Sequence, residues 1–137
     1  MVTQTIEAER ILIATGSSPR HPIDLPEEGD LFVDSDIVFQ LNRMPKSLIV
    51  LGGGIIGAEY ATMFAALGID VTLMDRRDDL LRMLDAEFNK LFMEYIADMG
   101  LTLKLGANIE ELRKSDNGQA EVVLKDGDRL QADCLFF

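Results

Sequence analysis

Cysteine and histidine are almost absent from this chain of 137 residues, which holds one of each, Cys134 and His21. A single cysteine excludes an internal disulfide and any CxxC motif for metal or redox chemistry, and it suits a reducing cytoplasm. His21 lies in the segment 20–30, which contains prolines and no periodicity and which we interpret as an extended linker. We therefore predict no metal site and no catalytic residue.

Basic residues are also scarce, since 13 Lys and Arg stand against 24 Asp and Glu for a net charge of −11. This balance argues against nucleic acid and anionic membrane surfaces as partners. A phosphate ligand is not excluded, because a helix N-terminus and one or two arginines act locally. The segment 47–69 is long enough to span a bilayer, but its three adjacent glycines and Glu59 fit a strand, a turn and a helix better.

What is present is a short apolar strand, Ser47–Leu51, then a glycine turn, a helical segment rich in small residues and a second strand that ends at Asp75. This order is typical of the dinucleotide-binding Gly-x-Gly-x-x-Gly unit with a later acid. Gly52 would allow the tight turn, Gly54 would let a pyrophosphate approach the backbone, and Gly57 would let the helix lie close to the strand. Asp75 would accept hydrogen bonds from ribose hydroxyls. A purely structural glycine turn that binds nothing remains the alternative.

Further elements are expected on both sides of this unit. We predict a strand over 11–14, a short helix over 36–42 capped by Ser35, a helix over 85–99 and a strand over 101–105. The second helix has apolar residues at core-like spacing, which we expect to form its buried stripe: Phe88, Leu91, Phe92, Tyr95 and Ile96.

The C-terminal third has a different character. Strands are predicted over 109–114, 119–125 and 129–137, separated by Asn-Gly and Asp-Gly hairpin turns. The fold class is therefore α/β, a Rossmann-like βαβαβ parallel sheet with a three-stranded antiparallel β-meander. We expect 48–51 at the centre, 71–74 and 101–105 on one side, 134–137 on the other, and the meander over one face.

Four segments, read together, resemble the flavin-dependent pyridine nucleotide-disulfide oxidoreductases: ILIATGSSP at 11–19, PKSLIV at 45–50, GGGIIGAEYA at 52–61 and LGIDVT at 67–72. Within that family, ATGSSPRHP at 14–22 and MDRRDDLL at 74–81 are most like its soluble pyridine nucleotide transhydrogenase branch. The resemblance implies that residues 1–30 are a remnant strand and linker of an FAD domain and that 31–137 form an NAD(P)-binding domain. It also implies FAD and dimerisation domains that this chain lacks, FAD only in the full-length parent, and strand 11–14 left free to fray or to pair with another copy as a homodimer.

The resemblance also assigns residue roles. The backbone of Ile55 and Ile56 would hold the pyrophosphate together with the glycines, and Glu59 matches a glutamate that faces the flavin side. Arg76 and Arg82 match two arginines that clamp the 2′-phosphate of NADP(H), and Arg77 lies beside them. These arginines conflict with Asp75, which favours NAD(H). Use of both NAD(H) and NADP(H) is one interpretation, and solvated arginines paired with acids of the loop are the other.

The function implied is hydride transfer between NAD(P)H and FAD by a cytoplasmic oxidoreductase, with a transhydrogenase as the first candidate parent. A dihydrolipoamide dehydrogenase or a mercuric or glutathione reductase is the alternative, and a non-enzymatic NAD-sensing domain is the second. We expect this chain alone to bind nicotinamide dinucleotide and to catalyse nothing.

Overall fold

The computed structural model describes residues 3–18, 25 and 29–137, so His21 and most of the predicted linker lie outside the described residues. The described elements comprise short 3₁₀ turns at Gly29–Leu31 and Val38–Gln40, eight strands and two helices. In chain order they are β1 Phe32–Val33, β2 Ser47–Leu51, α1 Ile55–Ala66, β3 Asp70–Met74, α2 Ala86–Asp98, β4 Thr102–Lys104, β5 Ile109–Lys114, β6 Ala120–Leu124, β7 Arg129–Ala132 and β8 Cys134–Phe136.

A five-stranded parallel sheet in the order β1-β8-β2-β3-β4 forms the centre of the fold. The predicted order is confirmed, with β2 central, β3 and β4 on one side and β8 on the other. The strand β1 was missed, because two residues carry no periodicity from which a strand can be recognised. Its place beside β8 depends on a parallel pairing more than a hundred residues away in the chain.

Alternation along β2 divides the core into two layers. Leu48 and Val50 pack on the helix side with Ala61 and Phe64 of α1, whereas Ile49 packs on the opposite side with the meander. The meander consists of β5, β6 and β7 in antiparallel order, and it covers that face as predicted. The fold is therefore a helix layer, a parallel sheet and a small antiparallel sheet.

The predicted strand over 129–137 is in fact two strands in different sheets, β7 in the meander and β8 in the parallel sheet. Asp133 separates them. Its backbone N–H donates to Oγ of Ser47, and its carboxylate accepts hydrogen bonds from the backbone N–H of Lys46 and from the side chain of Gln119. Asp133 thus ties the change of sheet to the start of β2, and these hydrogen bonds lower its pKa.

The predicted helix over 36–42 with Ser35 as its cap is wrong. The segment forms a turn followed by the 3₁₀ helix Val38–Gln40, and Asp34, not Ser35, accepts the hydrogen bonds of that turn. Ile37 precedes the 3₁₀ helix, and no side chain caps it. The Asp34 carboxylate accepts the N–H groups of residues 36 and 37, and its carbonyl accepts the N–H of Val38. Seven residues are too few to offset the cost of nucleating an α-helix without strong packing.

The helix α2 is confirmed, but the predicted buried stripe on it is largely wrong. Phe88 is 65% exposed and Tyr95 is 61% exposed, and Leu91 is also exposed. The buried stripe begins with Asn89 and ends with Ile96, and Phe92 and Met93 lie partly buried between them. Both stripes have helical spacing, so the pattern alone could not decide between them, and the orientation of α2 on the sheet did.

Residues 11–14, predicted as a strand, form no strand in the part of the chain that the structure describes, and their side chains are exposed. A strand needs a neighbour to accept and donate its backbone hydrogen bonds, and the described sheet offers it none. Among the described residues, no helix is long and apolar enough to cross a bilayer.

Candidate functional site

The glycine turn between β2 and α1 has the geometry that the sequence predicts. Gly52 has a φ of +103°, and its N–H donates to the carbonyl of Met74 on β3 at 2.7 Å. A Cβ on Gly57 would overlap the carbonyl oxygen of Gly52, so the helix lies directly against the turn. A Cβ on Gly54 would meet nothing within 4 Å, which leaves open space above the turn.

The start of α1 presents free backbone donors to that open space. Gly54 precedes the helix in extended conformation and makes no side-chain capping hydrogen bond, and the first intrahelical bond runs from Ala58 N–H to the Gly54 carbonyl. The N–H groups of Ile55, Ile56 and Gly57 therefore have no partner within the helix, and they lie at the positive end of its dipole. The side chains of Ile55 and Ile56 are exposed. This arrangement is suited to an anion such as a pyrophosphate.

Asp75, at the end of β3, lies beside the turn and is buried. Its Oδ2 accepts the N–H of Gly53 at 2.6 Å, and both of its oxygens accept hydrogen bonds from the guanidinium of Arg77, at 3.0 Å from Nε and 2.8 Å from Nη2. Burial by itself would raise the pKa of Asp75, but the hydrogen bonds from Arg77 and Gly53 lower this pKa to about 2. The carboxylate is therefore charged at neutral pH and is engaged by protein donors.

The three arginines of this loop have different surroundings. Arg77 pairs with Asp75, Arg82 pairs with Asp79 through Nε at 3.0 Å, and Arg76 is exposed. Arg76 and Arg77 line an open groove of about 490 Å³ at the carboxyl ends of β2 and β3. Arg82 is not part of the lining of this groove.

The opposite wall of the groove comes from residues that sequence reasoning missed. Asn108 lies just before β5, and Lys125 lies just after β6. The N–H of Lys125 donates to the carbonyl of Asn108 at 2.9 Å, which joins the two segments, and the Lys125 side chain is exposed. Nothing in the local sequence marks Lys125, because it faces the groove only through the packing of the meander on the sheet.

Gly53, between the two motif glycines, is held by the loop that follows β3. Its N–H donates to Asp75, and its carbonyl accepts the N–H of Leu81 at 2.9 Å. A Cβ at Gly53 would overlap the side chain of Leu80, which is completely buried. The carbonyl of Leu80 in turn accepts a hydrogen bond from the buried Asn89 of α2. A side chain at Gly53 would thus force the buried Leu80 to move.

Two further residues singled out in the sequence lie outside the groove. The Glu59 side chain is exposed on α1. Cys134 is buried in β8, where burial raises the pKa of its thiol to about 12, so the thiol stays protonated as a core side chain. Among residues 3–18, 25 and 29–137, no cluster of three His, Cys, Asp or Glu side chains could hold a metal ion.

The ion pair between Asp75 and Arg77 makes the stability of the fold depend on pH. Because the folded-state pKa of about 2 lies below the ordinary value, the stabilisation is complete above roughly pH 4 and is lost as the pH falls towards 2. Because solvent screens the half-exposed Arg77, we expect the ion pair to contribute about 1–2 kcal/mol to the free energy of unfolding. The free energy of unfolding of Asp75→Asn should therefore approach that of the wild type between pH 5 and pH 2 in urea titrations. A difference that stays constant over this range would contradict the prediction.

The parallel sheet, with its glycine turn after the central strand, defines the Rossmann-like class of α/β domains. The family model "Pyridine nucleotide-disulphide oxidoreductase" matches residues 2–137. The chain therefore belongs to the pyridine nucleotide-disulphide oxidoreductase family.

Curated relatives include proteins named soluble pyridine nucleotide transhydrogenase. The protein from Colwellia psychrerythraea is 37% identical over 134 residues, which are 98% of this chain and 28% of the relative. The protein from Pseudomonas fluorescens is 36% identical over 136 residues, which are 99% of this chain and 29% of the relative. The chain thus spans less than a third of the length of these relatives.

Two solved structures have the same fold over most of this chain. The HOCl-induced flavoprotein disulfide reductase RclA from Escherichia coli superimposes with a TM-score of 0.76 at 29% identity, over 88% of this chain and 27% of that one. The water-forming NADH oxidase from Lactobacillus brevis, in a structure bound to NADH, has a TM-score of 0.76 at 25% identity, over 89% of this chain and 28% of that one.

Proposed function

We propose that residues 31–137 are the NAD(P)(H)-binding domain of a flavin-dependent oxidoreductase and that residues 1–30 are a remnant of its FAD domain. The observation that carries the proposal is the turn from Gly52 to Gly57, where an open position at Gly54 meets the free N–H groups of α1. The pyrophosphate would lie over this helix N-terminus. The adenosine end would then reach the groove lined by Asp75, Arg76 and Lys125.

The charge of this groove supports an anionic ligand. Three cationic side chains, Arg76, Arg77 and Lys125, line it with one acid, Asp75, in a chain whose net charge is −11. A local positive surface on an acidic protein attracts a small phosphate ligand without attracting nucleic acid.

The parent reaction we propose is hydride transfer between NAD(P)H and FAD, as in a soluble pyridine nucleotide transhydrogenase. Nicotinamide and flavin supply the redox chemistry when bound, and the contribution of this chain is to bind and orient the nicotinamide dinucleotide. The FAD and dimerisation domains of the parent would supply the flavin, the acceptor site and a homodimer contact. This chain alone should bind the nucleotide and turn over no substrate. A cytoplasmic location of the parent is part of this proposal, because a chain with one cysteine contains no internal disulfide and suits a reducing compartment.

A disulfide reductase is the second candidate parent, because the described fold matches RclA as well as it matches the NADH oxidase. The two parents differ in whether a redox-active cysteine pair contacts the flavin. The single cysteine of this chain lies in β8 and cannot act as such a pair.

We expect the purified chain to bind NADH, and the Ile56→Glu variant to bind it at least about tenfold more weakly. Ile56 is exposed in the first turn of α1. A carboxylate there would stabilise the helix by roughly 0.3–1 kcal/mol through its dipole, but it would repel a pyrophosphate. Isothermal calorimetry would measure the affinity, and thermal unfolding would show that the variant is no less stable.

The matched control is Leu67→Glu, which places the same charge at the exposed C-terminal end of α1, away from the turn. Its affinity for NADH should stay within about twofold of the wild type. Equal affinities for Ile56→Glu and the wild type, or no binding by the wild type, would contradict the proposed site.

A further inference from the structure

The carboxylate of Asp75 is already saturated by protein donors. Oδ1 accepts the backbone N–H and Nε of Arg77, at 2.8 and 3.0 Å, and Oδ2 accepts the N–H of Gly53 and Nη2 of Arg77, at 2.6 and 2.8 Å. An ionised carboxylate offers about four lone-pair directions. No acceptor position is left for a ribose hydroxyl while Arg77 stays in place.

Arg77 is held by its backbone as well as by its side chain. Its N–H donates to Asp75, and its carbonyl accepts the N–H of Gly106 at 2.9 Å. Two further hydrogen bonds join the loop after β3 to the loop after β4. The N–H of Asp75 donates to the carbonyl of Lys104, and the N–H of Ala107 donates to the carbonyl of Asp75. The ion pair is therefore part of the framework that forms the groove.

The pairing changes the charge that a ligand meets. An unpaired acid at the end of the second strand repels a phosphate on the ribose 2′-hydroxyl, which is how such acids favour NAD(H). Here the bidentate guanidinium neutralises the acid, and Arg76 and Lys125 remain as exposed cations on the same groove. A 2′-phosphate that enters the groove thus meets net positive charge.

We propose that Arg77 neutralises Asp75 and thereby admits a 2′-phosphate, so that the groove takes NADP(H) as well as NAD(H). Asp75 and Arg77 are then positioning and selectivity residues that act through each other, and the contact to the phosphate comes from Arg76 and Lys125. This inference rests on the nucleotide-binding function proposed above.

The test measures the affinities of the whole chain for NADPH and NADH by calorimetry in the wild type and three variants. The wild type should bind both within about tenfold of each other. Arg77→Gln exposes the charge of Asp75. The affinity for NADPH should therefore fall at least tenfold, while the affinity for NADH should change less than about threefold. Asp75→Asn should lose no more affinity for NADH than for NADPH, because the proposed role of the acid is electrostatic and includes no hydrogen bond to the ribose. The double variant Asp75→Asn, Arg77→Gln should recover most of the NADPH affinity that Arg77→Gln loses.

A recovery larger than the gain in NADPH affinity from Asp75→Asn alone separates this role from a direct contact, because two independent effects would simply add. Arg113→Gln is the matched control. It breaks an ion pair with Glu121 of almost the same exposure, 38% and 5% against 38% and 7% for Arg77 and Asp75, within the meander strands. It should leave the ratio of the two affinities unchanged.

Two results would overturn the inference while leaving the proposed function intact. One is a tenfold loss of affinity for NADH in Asp75→Asn with the affinity for NADPH unaffected, which would mean that Asp75 binds the ribose. The other is an equal loss of both nucleotides in Arg77→Gln, or no recovery in the double variant. Binding of neither nucleotide by the wild type would instead refute the proposed function and the inference with it. If thermal unfolding shows that Arg77→Gln does not fold, Asp75→Asn alone decides between the two roles of the acid.

Discussion

Replacement of Gly57 by alanine is expected to lower the free energy of unfolding by roughly 2 kcal/mol, or the melting temperature by about 8 °C. Alanine has the better helix propensity by about 1 kcal/mol, so a simple propensity argument predicts stabilisation. The overlap of the new Cβ with the carbonyl oxygen of Gly52 outweighs this gain, because a backbone atom cannot rotate away. The helix α1 must then move off β2, and the core between them loosens.

Gly54→Ala is the matched variant and should behave in the opposite way. Gly54 has a φ of −79° and a ψ of −177°, which alanine adopts freely, and a Cβ there meets no atom within 4 Å. Stability should change by less than about 0.5 kcal/mol. The methyl group occupies the space into which a pyrophosphate would enter, so NADH affinity should fall about tenfold or more, which is about 1.4 kcal/mol.

Thermal unfolding and calorimetric titration with NADH measure both quantities for both variants. An unchanged melting temperature in Gly57→Ala would mean that the close packing of α1 on the turn is not required for stability. Full NADH affinity in Gly54→Ala would mean that the dinucleotide does not approach this part of the backbone.

Leu80→Ala should be the most destabilising change in the loop that follows β3, with a loss of about 3 kcal/mol. Leu80 is completely buried in the core cluster beneath the sheet and packs directly on Gly53. Its removal leaves a cavity and frees the turn on one side, so the affinity for NADH should fall along with the stability. Urea unfolding measures the loss of stability. Titration with NADH, at a temperature where the variant is folded, measures the affinity.

Leu84→Ala provides the control on the same loop, since Leu84 is exposed and makes no part of the buried cluster. It should cost less than about 1 kcal/mol and leave NADH affinity unchanged. Equal losses in the two variants would contradict the view that Leu80 holds the glycine turn.

The sequence predicted most of the parallel sheet because its strands are apolar, of ordinary length and separated by strong turn signals. The turn at Gly52 and the hairpin turns at Gly118 and Gly127 all have positive φ, as their residue types indicate. The order of β2, β3 and β4 follows from the topology of consecutive βαβ units, and the return of β8 beside β2 was expected from the fold class. Short elements were less predictable, because β1 and the 3₁₀ segment Val38–Gln40 depend on contacts distant in the chain.

The surface of α2 illustrates the limit of periodicity. Apolar side chains occur around most of this helix, so several stripes fit a helical repeat equally well. Packing against the sheet selected Ile96 and the polar Asn89 for burial, and it left Phe88 and Tyr95 exposed. A polar residue enters the core here because its side-chain amide donates to the carbonyl of Leu80.

The sequence by itself determined the class of fold, the family and the positions of Gly52, Gly54, Gly57 and Asp75, because these depend on local conformational demands and on spacing along one chain. Only the tertiary structure decided what the charged residues do. The pairing of Asp75 with Arg77 and the approach of Lys125 to the groove require loops from separate strands to meet at one edge of the sheet. Charge interactions depend on the distance between groups and on their burial, and neither quantity can be obtained from the amino-acid sequence alone.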